Sequence, residues 1–290
     1  MSYQVGSGYS FGTGFTQLDF DRFASLSQDT NPIHVDPVYA AKTKFGRTVA
    51  HGMLLYSTIC RCLSEQFPSY LILSQKLKFP NPTFTGQDLS VHQEITKKYE
   101  QVGLLEVASQ VVHPGGESGC DSQTSLSTTP DINIFRTLVD KPPAHKDSAI
   151  KSFKGFHLGQ ASTHERIFNR GDINEYIDLS GDRNHLHNSY NDARANGFND
   201  LVIPGPLIGG LFSYILGTKL PGPGTNWLKL SLEFFSPLYP EEQILGRVQI
   251  SQLRPEKELV NFTLTAEDAK GTIICRGEAL VLIKDVSSPD

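Results

Sequence analysis

An aspartate, an asparagine and a histidine recur together in this chain, as Asp29-Thr30-Asn31-Pro32-Ile33-His34 and as Asp182-Arg183-Asn184-His185-Leu186-His187. The aspartates stand 153 residues apart (182 − 29). At that offset Phe15 matches Phe168, Asp19 matches Asp172, and Leu26-Ser27 matches Leu179-Ser180. The register continues without a gap through Ala40 and Ala193, Phe45 and Phe198, Val49 and Val202, to Leu54 and Leu207. A carboxylate and an imidazole five residues apart on one loop can converge on a single water. The carboxylate accepts its hydrogen bond, and the imidazole accepts or donates according to its protonation. Such a pair is equipped to add water to a polarised double bond or remove it. One group takes a proton from water while the other supplies one to carbon. The asparagine can orient the pair through its amide. A lone string of this kind is usually a turn or a helix cap. Repetition in register argues instead for an internal duplication with two candidate sites.

A glycine follows each aspartate at the same distance, Gly52 and Gly205 (52 − 29 and 205 − 182). Each falls at the predicted start of an apolar helix, about 50–66 and 204–216. Backbone N–H groups there are not needed by the helix ladder and sit at its positive end. Such a donor can hold a thioester carbonyl oxygen as it becomes enolate-like, and a glycine side chain would not keep the carbonyl away.

The elements that must position these groups follow a common order. In each copy an aspartate suited to capping (Asp19, Asp172) opens a short helix, which leads into the Asp-x-Asn-x-x-His loop. A short helical stretch follows (37–43; 190–195), and then the long helix. Leu207, Ile208, Leu211, Phe212 and Ile215 make the second long helix apolar on nearly every face, so it must be enclosed. Period-2 alternation over 70–79, 90–99 and 104–113, and over 226–235, 244–253, 259–266 and 272–283, predicts strands. An antiparallel sheet wrapped around one helix, twice over, is an α+β fold. Residues 113–151 are rich in Ser, Thr, Pro and Gly and read as a linker with at most a short strand at 132–138. The expected division is therefore a first domain at 1–112, the linker at 113–151 and a second domain at 152–290.

Composition excludes other classes. Net charge −5 and 38% apolar residues, with no basic run, argue against nucleic acid as a partner. No apolar stretch approaches the roughly 20 residues of a membrane span. Residues 1–10 do not read as a signal peptide, and the terminal Ser-Pro-Asp is not a peroxisomal address. Cys60, Cys62, Cys120 and Cys275 show neither a disulfide framework nor zinc-ligand spacing. The expected setting is cytoplasmic or another reducing compartment. No cofactor is called for, and Asp plus His lacks a third ligand type at fixed spacing for a metal. No Gly-x-Ser-x-Gly elbow marks a serine hydrolase. The other histidines, His92, His113, His145, His157 and His164, fall in strands or the linker.

The run Ser27-Gln28-Asp29-Thr30-Asn31-Pro32-Ile33-His34-Val35-Asp36, continuing to Val49-Ala50-His51-Gly52-Met53-Leu54, resembles the motif of MaoC-like (R)-specific enoyl-CoA hydratases. Ser180-Gly181-Asp182, His187 and the stretch Leu216–Thr225 carry the resemblance into the second half. It implies a tandem double hotdog, its two sheets joined as in a homodimer. It also implies reversible syn hydration of trans-2-enoyl-CoA to (R)-3-hydroxyacyl-CoA, an acyl-CoA substrate serving fatty-acid oxidation or polyhydroxyalkanoate supply. Asp29 with His34, and Asp182 with His187, are the implied catalytic pairs. Asn31 and Asn184 orient them, Gly52 and Gly205 donate to the oxyanion, and Ser213 stands where short bacterial members place an active-site serine. Each copy departs from the pattern. The first has Gln28 for the usual glycine and Cys60 at the serine position. The second keeps Gly181 and Ser213 but has His185 for proline and Pro204 for the histidine before the helix. The intact His51-Gly52-Met53 favours the first copy as the working site. A hotdog thioesterase and a non-catalytic acyl-CoA-binding protein are the alternatives, and further pairing as a homodimer is left open.

Overall fold

Both copies fold by the same sequence of elements in the computed structural model, which describes residues 3–137 and 150–286. The first half runs β1 (Gly8–Thr13), α1 (Gln17–Ser27), α2 (Pro32–Val35), α3 (Pro37–Ala40), α4 (Gly52–Gln66), β2 (Leu71–Lys78), β3 (Leu89–Tyr99), β4 (Leu104–Val112) and β5 (Ser118–Ser127). A small hairpin, β6 (Ser152–Phe153) and β7 (Phe156–His157), precedes the second half. That half runs β8 (Ala161–Ile167), α5 (Arg170–Ser180), α6 (His185–Asn188), α7 (Tyr190–Ala195), α8 (Gly205–Thr218), β9 (Asn226–Phe234), β10 (Gln243–Arg254), β11 (Leu259–Asp268) and β12 (Ile273–Leu282).

Ten strands form one sheet in the order β1-β3-β4-β5-β2-β9-β12-β11-β10-β8. Exchanging each strand for its counterpart reverses this order onto itself, so the halves are related by a pseudo-twofold axis between β2 and β9. Those two strands pair antiparallel, Ser74 opposite Glu233 and Leu77 opposite Leu230. The result is a double hotdog. The central helices α4 and α8 lie within the curved sheet, and Met53, Leu54, Ile59, Leu211, Phe212 and Ile215 are almost wholly buried in one continuous core. All four cysteines are buried and free.

Three details differ from the sequence reading. Asp19 and Asp172 are not the caps. Thr16 and Asn169 are, and each aspartate is the third helical residue, reaching back to the cap's backbone in a capping box. The first half also extends past 112, because 118–127 is strand β5, paired with both β2 and β4. Its inward positions include Ser122 and Thr124, which read as loop residues. They are buried because Gln75 satisfies them, donating to Ser122 Oγ at 2.6 Å and accepting from Thr124 Oγ1 at 2.8 Å. Finally, residues 132–137 form a 3-10 turn rather than a strand. Leu138 and linker residues 138–149 lie outside the described residues.

Candidate active site

Helix α1 ends in the left-handed region at Gln28 (φ 64°), as α5 ends at Gly181 (φ 75°). That turn directs the aspartate back toward the helix. A side chain in this region is strained, and Gln28 is held there by a 2.8 Å hydrogen bond between its Oε1 and His164 Nε2. His164 is thus structural rather than incidental. The Asp29 N–H then donates to Ser27 Oγ (3.2 Å), and the Asn31 N–H to Asp29 Oδ1 (3.2 Å). Asn31 caps α2 by accepting from the Ile33 N–H. These local bonds fix Asp29 and aim His34 from the one-turn helix α2.

His34 Nδ1 lies 2.7 Å from the Val49 carbonyl. A carbonyl only accepts, so Nδ1 carries the proton and Nε2 is left as an acceptor. Asp29 is buried, and its Oδ2 accepts a 2.5 Å hydrogen bond from Ser213 Oγ on α8. Burial raises the carboxyl's pKa above its usual value, opposed by His34, by the Ser213 hydroxyl and by the Asn31 N–H. Burial likewise lowers the imidazole of His34, opposed by Asp29 and the Val49 carbonyl. The neutral, single-tautomer imidazole beside a hydrogen-bonded carboxylate is an arrangement able to take a proton from water.

Asp29, Asn31, His34, Gly52 and Ser213 line one cavity of about 130 Å³, together with Leu55, Phe79, Leu216 and Trp227. Neither long helix has a side-chain cap, since His51 and Pro204 occupy the cap positions without bonding the first turn. The Gly52 N–H is therefore available at the cavity wall. The need for glycine there is steric and concerns Phe79: a Cβ on Gly52 would stand 2.8 Å from its ring.

Ser213 is where the sequence reading and the fold part most sharply. By register it belongs to the second copy, yet it serves the first copy's aspartate. The central helices pack on each other, so each presents its middle to the other half's acid. Cys60, the counterpart of Ser213, correspondingly stands by Asp182, and burial, joined by that residue's charge, pushes its thiol pKa up. Gly217 was also missed. A Cβ there would lie 2.8 Å from Asp29 Oδ1, so its bareness lets the acid approach α8.

His51 completes the cluster. Its Nε2 donates to the Asp29 carbonyl at 2.9 Å, its ring stacks on His34 at 3.8 Å, and burial holds it neutral, well below the ordinary imidazole value. Asp29, His34 and His51 offer potential ligand atoms within 4.8 Å of one another, so the fold supplies a third donor that spacing did not reveal. The two rings are inclined by only 27°. Each ring already has one nitrogen committed to a backbone carbonyl, His34 Nδ1 to that of Val49 and His51 Nε2 to that of Asp29.

The second constellation repeats the scaffold. The Asn184 N–H donates to Asp182 Oδ1 at 3.1 Å, and His187 Nδ1 lies 2.7 Å from the Val202 carbonyl. Its cavity is only about 40 Å³. Tyr176, at the position of Phe23, donates to Asp182 Oδ2 at 2.9 Å in place of a serine. The structure thus gathers Asp29, Asn31, His34, Gly52 and Ser213 at one site, and Asp182, Asn184, His187 and Gly205 at another. Tyr176 was legible only as a break in register between the copies.

The family described as the MaoC like domain matches residues 9–114. The (R)-specific enoyl-CoA hydratase of Aeromonas caviae is 34% identical over 117 residues, covering 40% of this chain and 87% of that protein. The chain belongs to the MaoC-like dehydratase family. It is accordingly a hydro-lyase. Two solved structures share the whole architecture of this MaoC-like protein. A MaoC-like dehydratase superposes with a TM-score of 0.76 at 18% identity, covering 96% of this chain and 98% of the other. A conserved Mycobacterium tuberculosis protein described as a double hotdog gives 0.73 at 13%, covering 96% of each. Among the described residues no helix is long and apolar enough to cross a membrane.

Proposed function

We propose that this MaoC-like protein hydrates trans-2-enoyl-CoA thioesters reversibly to (R)-3-hydroxyacyl-CoA, with turnover at the Asp29–His34 site. The observation that carries this reading is the Ser213–Asp29–His34 cluster facing a cavity that also holds the start of α4. A water held between the Asp29 carboxylate and His34 Nε2 gives a proton to His34 as its oxygen bonds to C3 of the enoyl group. The π electrons shift toward the thioester, whose oxygen accepts from the Gly52 N–H. The Asp29–His34 pair then returns a proton to C2 on the same face, so one water is added and the pair is regenerated. Asn31 holds the loop that carries both groups. The enoyl-CoA hydratase activity of the Aeromonas relative supports the carrier and the stereochemistry. Provision of (R)-3-hydroxyacyl units to fatty-acid oxidation or to polyhydroxyalkanoate synthesis is the corresponding role.

Hydration of crotonyl-CoA, followed by loss of enoyl-thioester absorbance, tests the reading. Asp29→Asn and His34→Ala should each lower the rate by ~10²–10⁴-fold. The double variant should lose little more, because the two groups act on one water. Asp182→Asn should cost at most about half the rate. Full activity in both Asp29→Asn and His34→Ala would refute the mechanism, and release of free thiol would indicate a thioesterase.

A further inference from the structure

The second constellation keeps every backbone-fixed feature of the first, and what differs surrounds it. Tyr56, whose counterpart in α8 is Gly209, projects its hydroxyl over the start of α8. A Cβ on Gly205 would lie 3.1 Å from that oxygen, so the tyrosine packs closely against the start of α8. Its hydroxyl is buried without a well-formed hydrogen bond, beside the Cys60 thiol. The acid is engaged by Tyr176 in place of a serine hydroxyl. The amide of Asn184 is turned away to the Tyr70 carbonyl, at 2.9 Å. Its nitrogen also stands 3.4 Å from His187 Nε2, the atom that would take a proton from water.

The outer face is closed as well. At the first site Tyr39, Phe45 and Phe84 pack against the loop cluster of Ile33, Ala40 and Val49. The matching residues Leu186, Ala193 and Val202 belong to a larger cluster with Leu71, Leu73, Phe198 and Tyr239, against which Ile132, Ile134 and Phe135 of the 3-10 turn pack. The Ile132 N–H is tied to the Asn196 carbonyl at 3.4 Å. Phe135 lines the residual cavity beside His187. Residues Ile132–Phe135 thus lie across the mouth of the second site.

We propose that Asp182, Asn184 and His187 form a second enoyl-thioester site, complete in its scaffold but shut from inside by Tyr56 and Tyr176 and from outside by the Ile132–Phe135 strap. The inference rests on the hydratase reading of the first site. It assigns to Tyr56, Tyr176, Phe135 and Cys60, the last at the serine position, the asymmetry between two otherwise equivalent halves. Removing the barriers restores access to the same substrate class.

The test is made in the full chain carrying Asp29→Asn, which silences the first site but keeps its shape. Into it go Tyr56→Ala, Cys60→Ser, Phe135→Ala and Tyr176→Phe. Crotonyl-CoA is the probe, by calorimetric stoichiometry and by hydration rate. The opened chain should bind two crotonyl-CoA per chain where the Asp29→Asn parent binds one. It should also hydrate at least about tenfold faster than that parent, a fraction of what a positioned acid–base pair supplies, and lose the gain on adding Asp182→Asn. A folded opened chain that binds one crotonyl-CoA and is no faster than its parent overturns the proposal. Should circular dichroism show that the fourfold variant is unfolded, the stoichiometry is read with Tyr56→Ala and Phe135→Ala alone, where one site per chain again overturns it. Failure of the underlying hydratase reading would show separately, as absence of crotonyl-CoA hydration by the unaltered protein.

Discussion

Ser213→Ala removes a single oxygen that belongs to the opposite half from the acid it serves. Asp29 is 2% exposed and Ser213 5%, so the 2.5 Å bond is shielded from bulk solvent. A hydrogen bond to a charged group contributes about 1.5–3 kcal/mol, so its loss should lower kcat/KM at neutral pH by roughly 10- to 100-fold. The pH profile gives a sharper readout. Burial already raises the Asp29 pKa above 3.8, and the Ser213 hydroxyl opposes that rise by favouring the charged form. Without it the pKa goes up further. Activity needs the ionised carboxylate and the neutral His34 imidazole, so it is present above the acid limb and lost as pH falls through it. The acid limb of kcat/KM should therefore move to higher pH in Ser213→Ala, while Ser213→Thr, which keeps the hydroxyl, should restore it. An unmoved acid limb in Ser213→Ala, with unaltered rate, would refute the claim that α8 tunes the first site's acid.

Gly217→Ala should lower kcat by roughly 10- to 100-fold with secondary structure intact by circular dichroism. The new methyl would sit 2.8 Å from Asp29 Oδ1, and displacing a reacting group by an ångström costs about that much. Wild-type kcat in this variant would show that the carboxylate has room to spare. Arg22 on α1 binds Glu175 and Asp178 on α5 at 2.7 and 2.6 Å. Since these side chains are substantially exposed, Arg22→Ala should cost less than about 1 kcal/mol in urea denaturation, and less still at high salt. A loss of several kcal/mol would mean that this pair holds the halves together.

Much of this protein was legible in one dimension. The 153-residue register (182 − 29) exposed the duplication, because two copies under the same packing constraints retain apolar residues at matching places. Alternation located seven of the strands, since one face of each looks into the core and the other does not. The Asp-x-Asn-x-x-His string is legible as a loop, within which the structure adds the one-turn helix α2, because its bonds are local: Ser27 to Asp29, Asp29 to Asn31, Asn31 to Ile33. Strand β5 escaped because its buried polar residues are satisfied by Gln75, 47 and 49 residues away along the chain. The ownership of Ser213 was decided only in three dimensions. A register between copies says which residues are equivalent, but not which half each one faces, and the bond from Ser213 to Asp29 spans 184 residues. The closing of the second site had the same origin. Its aspartate, asparagine and histidine are all present in sequence, while Tyr56 and Phe135 come from the first half and from the connecting segment. Only the packing of α4 against α8, and the path of the chain between the halves, brings those aromatic rings to the place where a substrate would otherwise enter.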